Sequence, residues 1–434
     1  MTSPKQPPSV SFAKAVLNMS KAAIGLGTIL LITSMQTLGL GYGIIALLLS
    51  AFLSALTLHF LGRVTSATRS GTYFGLSAVI LGRKGEIVAM LALGIVLFGS
   101  LMGYAFYIGQ YASCGLAHLS GRTFHPKIVS GIILYLIVLP VSCLKDLSKL
   151  GVVSIFGMLI MLAVTVLTIY NHLSSNILDL VRSLPNQELI NPEYFAKYQG
   201  QPAVFPPLTF ASIGCFGSIA FAYTNHFALV GTVNSLAHPT PTRLAFLIIL
   251  STIFTATLNI LIGLFSLFFF KNTQVSDILS RPLMNTAFAW AKLGVALALS
   301  FTFPLLLSPL RGLLDCLMIR IIPKLPTVRH YLNTLLIVSM PYAIVLIFDN
   351  KVTGILDVIS SLFRVLLVYI LPALMILRLP KSVPGTFLRT WERYMAYVVL
   401  VFGAVVCIIG PIFPFLRVIG KAPKNDSLVS VFIK

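Results

Sequence analysis

The sequence predicts an all-α polytopic membrane protein of about eleven transmembrane helices, and three observations predict it. The chain is 57% hydrophobic and only 10% charged over 434 residues, whereas soluble domains carry about 25% charge. Its mean hydropathy is +0.95. Apolar runs long enough to cross a hydrocarbon core about 30 Å thick, which takes about 20 helical residues, follow one another along nearly the whole chain. Barrel strands would read as weaker alternating segments of about ten residues, so the spanning element is the helix.

The eleven runs lie at about 12 to 34, 38 to 61, 86 to 117, 126 to 144, 150 to 172, 207 to 235, 243 to 270, 284 to 320, 331 to 348, 352 to 377 and 392 to 416. The tail before them, "MTSPKQPPSVSF", lacks the basic-then-apolar order and small-residue cleavage site of a signal peptide, so the first run is expected to remain as a span. The longest connection, 173 to 206, holds Pro185, Pro192, Pro202 and Pro206 among polar residues and reads as an irregular cap over the outer face. Lysines and arginines set the orientation. With residues 1–11 as a short cytoplasmic tail, seventeen fall on the inner side against eight in the outer connections, Lys292 among the eight, and four at the C-terminal end from Arg417 onward. That bias puts the N-terminus in the cytoplasm and the C-terminal tail outside. A net charge of +20 dispersed over short loops offers no basic face for nucleic acid; orientation and anionic lipid account for it.

Five cysteines, Cys114, Cys143, Cys215, Cys316 and Cys407, sit in or beside spans without metal or disulfide spacing and are read as structural. H-E-x-x-H, G-x-S-x-G and paired intramembrane aspartates are absent, which argues against an enzyme.

The first span contains "NMSKAAIGLGTIL", Asn18 to Leu30. Counted from residue 12 at about 1.5 Å per residue, Lys21 lies about 13 Å deep, near the membrane's middle. An ammonium there costs a few kcal/mol even on lenient scales, so by default it faces a cavity or a partner. Gly25 and Gly27 follow within two turns and weaken the helix. The sixth span has an equivalent interruption. Gly214 and Gly217 precede a polar cluster, Tyr223, Thr224, Asn225 and His226, and then Gly231. Two interrupted spans, five apart, point to an inverted-repeat transporter with its site at the midplane. Half-helix N–H ends hold a carboxylate and half-helix C=O ends hold an ammonium or a cation, so a zwitterionic amino acid suits the pair of breaks.

At these residues the chain resembles the amino acid/auxin permease family of the LeuT-type fold. "LNMSKAAIGLGTIL" is similar to that family's first span and "FAYTNHF", Phe221 to Phe227, to its sixth. "PVSCLKDLSKLGVVS" resembles its fourth-to-fifth junction, "LSFTFPLLLSPLRGLL", Leu299 to Leu314, its eighth span, and "YILPALMIL", Tyr369 to Leu377, the end of its tenth. The resemblance implies two inverted five-helix repeats, about 12–172 and 207–377, plus one extra helix at 392–416, within a transporter domain of 12–420. It also implies the site. Ile24, Gly25, Leu26, Gly27 and Thr28 would offer backbone to the substrate carboxylate, and Phe221, Ala222 and Tyr223 carbonyls to its amino group. Tyr104, with Tyr107 less firmly placed, would reach the pocket from the third span. In sodium-coupled members a cation lies between the first and eighth spans, which points to Ser300 and Thr302.

Lys21 departs from the family, whose sodium-using members commonly have asparagine there. A fixed ammonium in the cation's place repels sodium, so the expectation is a sodium-independent transporter, either proton-coupled or an exchanger, with Lys21 or His226 as the candidate proton relay and no metal or organic cofactor. No acid lies in either break, so neutral amino acids are favoured over cationic ones. The chain is expected to act as a monomer in the bilayer of the plasma membrane or an endolysosomal or vacuolar membrane.

Plainer readings stand beside these. Gly25 and Gly27 permit close helix packing, Lys21 pairs with an acid for stability, His226 is an interior histidine, and Tyr104 is a packing residue. Asp357 and Arg364, seven residues apart, form a structural pair bridged by water or by Ser360 and Ser361, with gating as the alternative. Asn425-Asp426-Ser427 fits a glycosylation acceptor. An amino acid sensor on the same fold is the alternative function, and a membrane enzyme or channel is a third; the short N-terminal tail counts against a sensor.

Overall fold

The computed structural model describes residues 10–68, 70–144, 150–174, 202–237, 239–270, 279, 286–319, 321–379 and 390–419. Within them the chain is helical, with one isolated bridge between Val10 and Leu236. Eight helices are individually long and apolar enough to cross a membrane. Shorter apolar helices at Pro126–Ser142 and Gly157–Leu167, together with the broken first span, fall on further expected runs; the number eleven itself is a reading of the sequence.

Helix α1 (Phe12–Ala23) stops where Ile24 and Gly25 turn extended, and α2 (Leu26–Ile29) resumes it. Helix α3 (Leu31–Thr68) is two helices joined at Gly39, whose φ of +70° is left-handed and favours glycine. The described end of the long connection lies on that corner. Leu40 N donates to Ala203 O at 2.9 Å, Gly41 N donates to Val204 O at 2.7 Å, and the Phe205 ring meets Tyr42 edge-on at 4.9 Å. The remainder of the connection, 175–201, lies outside the described residues, as do Arg69, Lys145 to Lys149 and Asn425.

Helix α4 (Tyr73–Ser120) begins with Thr72 accepting from Gly75 N and bends at Gly82, again at positive φ. It is followed by α5 (Pro126–Ile133), a π-helical turn, α6 (Leu139–Ser142) and α7 (Leu150–Ser174). The second half runs through α8 (Phe210–Ala222), α9 (His226–Ser235), α10 (Pro241–Phe270), α11 (Thr286–Met318) and α12 (Pro326–Phe348). Helix α13 (Val352–Ile359) then passes through π-helical turns at Ser360–Arg364 and Leu366–Ile370 into α14 (Leu371–Leu377), and α15 (Thr390–Ile409) and α16 (Ile412–Val418) close the described chain. Helix α11 lies along α4 and α7, and α10 and α8 lie along α3.

The outside is apolar. Ile45, Phe52, Leu91, Phe246, Val401 and Ile408 are each more than half exposed, which would cost about 25 cal/mol per Å² in water and suits acyl chains. Buried charges tie helices together. Glu392 of α15, 1% exposed, accepts from Arg63 and meets His59 Nε2 at 3.1 Å on α3, which ties the last long helix to the bundle. Lys292, expected in an outer connection, is instead buried within α11 with Nζ 3.1 Å from Cys114 Sγ.

Candidate functional site

The two breaks are built differently. In the first span α1 makes its last bond from Ile24 N to Ser20 O at 3.0 Å, and Gly25 follows at φ −176° and ψ −140°. Any residue can adopt that extended backbone, so it is room that selects glycine: a Cβ there would stand 3.3 Å from the Tyr104 hydroxyl. The last carbonyls of α1 and first amides of α2 lack intrahelical partners by construction. In the sixth span the helix runs straight through Gly214 and Gly217, expected to weaken it, and breaks later, at Tyr223 to Asn225. Those glycines admit neighbours instead. A Cβ on Gly214 would stand 2.9 Å from Gly410 O, and one on Gly217 would stand 2.6 Å from Ser361 Oγ.

The breaks meet at Gly27. A Cβ on that residue would lie 2.7 Å from the Phe221 carbonyl carbon and 2.8 Å from Ala222 N, closer than side chains approach backbone. Polar struts hold the junction. Thr28 Oγ1 donates to Asn259 Oδ1 at 2.9 Å, and Asn259 Nδ2 donates to Ala222 O at 3.1 Å. Ser54 Oγ donates to Tyr223 O at 3.2 Å, and Asn225 Nδ2 donates to Met19 O at 3.3 Å.

A cavity of about 180 Å³ opens beside the junction. It brings together Lys21, Ile24, Gly25, Leu26, Gly27, Tyr104, Phe221 and Thr302 from the expected set, and Asn18, itself exposed, extends it toward the N-terminal end of α1. Thr28, Ala222, Tyr223, Ser300 and His226 do not line it. Thr28, Ala222 and Tyr223 are occupied in the struts behind the wall. The Phe221 carbonyl, at the C=O end of the broken helix, accepts from Thr224 N at 3.3 Å and from Tyr223 N. Ser300 Oγ and Thr302 Oγ1 each bond back to their own helix, to Ala296 O and Ala298 O at 2.7 Å. Of the proposed cation partners, only Thr302 therefore shares the cavity with Lys21.

His226 is 1% exposed with Nε2 2.9 Å from Thr57 Oγ1. The Thr57 hydroxyl lies 2.9 Å from both Nε2 and Leu53 O, so the histidine tautomer sets which of them it donates to, while buried Nδ1 has no partner among the described residues. That arrangement fits the plainer reading, an interior histidine bracing the second break against α3.

Sequence reasoning placed Arg364 in a structural pair with Asp357. Each has another side-chain partner in the structure. Arg364, 2% exposed, lines the cavity, with Nη2 3.2 Å from Ser100 Oγ and its guanidinium carbon 3.5 Å from the centre of the Phe221 ring. Asp357 Oδ1 instead accepts from Ser218 Oγ at 2.8 Å. The signal was present in the sequence: an ionisable residue inside an apolar span marks a functional site by default. Asn259 carried no such signal, because a lone asparagine in a span shows nothing of what it joins. Among the described residues, those that line the cavity include two cations, Lys21 and Arg364, and no aspartate or glutamate. No group of acid, histidine or cysteine side chains suited to a metal occurs among the described residues.

With the geometry in place, the chain can be set against known proteins. A family model described as "Transmembrane amino acid transporter protein" matches residues 8–416. Amino acid transporter AVT6C of Arabidopsis thaliana is 24% identical over 443 residues, covering 94% of this chain and 95% of the relative. Sodium-coupled neutral amino acid symporter 2 of Danio rerio is 22% identical over 400 residues, covering 87% of this chain and 77% of the relative. The solved structure of MhsT in complex with L-phenylalanine superposes with a TM-score of 0.59 at 14% identity, over 93% of this chain and 100% of that one, which shows the LeuT-type fold that the sequence resemblance implied. By the match along nearly its whole length, this chain belongs to the family of transmembrane amino acid transporter proteins.

Proposed function

We propose that this member of an amino acid transporter family is a secondary active transporter that moves its substrate by alternating access and without sodium. The observation that carries the reading is the meeting of two broken spans at Gly27 and Phe221 beside a cavity lined by both Lys21 and Thr302, and on this reading the ammonium stands in for the cation. Amides of the first break receive the substrate carboxylate, and the C=O end of the second break at Phe221 receives its ammonium. The two halves, about 12–172 and 207–377, act as inverted repeats moving about this junction. With the N-terminus in the cytoplasm, the mouth at Asn18 makes the described conformation an inward-facing one, and the 202–206 segment on the α3 corner lies on the closed outer side.

Sodium independence follows from charge. Two unit charges about 4 Å apart repel by about 4 kcal/mol at an effective dielectric of 20, which weakens sodium binding by roughly a thousandfold. The Danio rerio relative is named as sodium-coupled, so coupling is expected to differ within the family, and here a proton or a counter-substrate replaces sodium. Cavity walls without a carboxylate also support the exclusion of cationic amino acids. Uptake of radiolabelled amino acids into proteoliposomes, with sodium or choline and with or without a pH gradient, tests the reading. Uptake that persists in choline supports it, and uptake that requires sodium overturns the sodium argument.

A further inference from the structure

Arg364 is left over from the mechanism above: a zwitterion is held by the two breaks, and Lys21 stands for the coupling cation. The guanidinium carries five N–H donors and is charged at any accessible pH. Among the described residues it donates to Ser100 Oγ at 3.2 Å, while Nε is buried with no partner. Stacking on the Phe221 ring at 3.5 Å fixes a face of the guanidinium and leaves its edge, which bonds carboxylates in fork geometry. Asp357, the carboxylate nearest in sequence, accepts from Ser218 instead, and no acid lines the cavity. A desolvated arginine held by one hydroxyl and one ring, and aimed at a solute cavity, calls for an anion from the solute.

Charge counting decides which solute. A neutral amino acid brings one carboxylate and one ammonium and leaves the cavity's two cations uncompensated. A cationic amino acid adds a third. An amino acid with a second carboxylate brings a net charge of −1 and gives the guanidinium its partner. We propose that this cavity is built for an amino acid whose side chain is a carboxylate, and that Arg364 is the residue that binds that group. The inference rests on the transporter reading and sharpens its substrate class: the α-carboxylate and ammonium stay with the Gly25–Gly27 amides and the Phe221 carbonyl, and the side-chain carboxylate takes the arginine edge.

Glutamate against glutamine, and aspartate against asparagine, isolate the charge at nearly constant shape. The full chain in proteoliposomes is assayed by counterflow with labelled glutamate and, in parallel, labelled glutamine, against unlabelled glutamate, glutamine, aspartate, asparagine, leucine and arginine. The wild type is expected to prefer each acid to its amide by at least about tenfold. Arg364→Gln should cut that preference to within about threefold while glutamine exchange persists, and Arg364→Lys should keep a preference for the acids. A wild type that exchanges the amides better than the acids overturns the inference and leaves the transporter reading standing, as does an Arg364→Gln protein with an unchanged ratio. Should Arg364→Gln fail to purify as a monodisperse protein, the wild-type and Arg364→Lys ratios decide. No exchange of any amino acid by a monodisperse wild type removes the transporter reading itself, and the inference with it.

Discussion

The Thr28 hydroxyl donates to Asn259 Oδ1 at 2.9 Å, and the amide nitrogen of that same asparagine donates to Ala222 O at 3.1 Å. One fully buried side chain on α10 thus joins a side chain of the first break to the backbone of the second. Replacing it with leucine leaves a buried hydroxyl and a buried carbonyl without their partner, each costing about 1–3 kcal/mol. Asn259→Leu is expected to lower the melting temperature of purified protein and to reduce uptake at least about tenfold, and in a Thr28→Val background it should cost less than in the wild type, because only the Ala222 carbonyl then loses its partner. Thermal shift in detergent and a double-mutant cycle with Thr28→Val check both statements.

At Gly27 the first methyl group has nowhere to go. Its Cβ would meet Phe221 and Ala222 backbone at 2.7 and 2.8 Å, so Gly27→Ala forces the breaks apart at a cost of about 1–3 kcal/mol and should abolish substrate binding. Gly231 on α9 has open space in the same direction. Gly231→Ala is expected to keep wild-type uptake, with a gain of roughly 0.5–1 kcal/mol from helix propensity. Equal uptake by the two alanine variants would show that the contact at Gly27 does not shape the site.

Lys21 supplies the coupling prediction. Lys21→Ala should abolish transport, because the cavity that Lys21 shares with Thr302 then loses its ammonium, and on the proposed sodium-independent reading Lys21→Asn should create a sodium dependence. Where Lys21 also carries the proton, wild-type uptake acidifies the receiving compartment and Lys21→Arg, which holds its charge permanently, stalls net uptake while exchange continues. A pH-sensitive dye inside the vesicles reports the flux. Proton flux through the arginine variant would move the coupling role elsewhere.

His226 lies outside the cavity, bonded to Thr57. His226→Gln keeps a donor near that hydroxyl, so the pH profile of uptake is expected to be unchanged, with a loss of about 1 kcal/mol or less in stability. A flattened profile, measured between pH 5 and pH 8, would return His226 to the proton path.

What the sequence determined by itself was local. Span length, hydropathy and the cost of an ammonium at mid-depth are properties of consecutive residues, so the membrane-spanning helices, the break at Ile24 and Gly25 and the exposure of Lys21 to a cavity were legible before any contact was known. The sixth-span interruption was read over a wider stretch, from Gly214 through the polar cluster at Tyr223 to His226 and on to Gly231, because a glycine reads alike whether it interrupts a helix or admits a neighbour; the helix breaks only at Tyr223 to Asn225, and Gly214 and Gly217 admit Gly410 and Ser361. Arg364 shows the same limit. Seven residues at 3.6 per turn put it on the face of Asp357, but the π-helical turn at Ser360–Arg364 rotates the chain less per residue, and the guanidinium turns to Ser100 and Phe221. Which groups meet across helices is decided by tertiary packing, because those distances join residues hundreds of positions apart that no local periodicity relates.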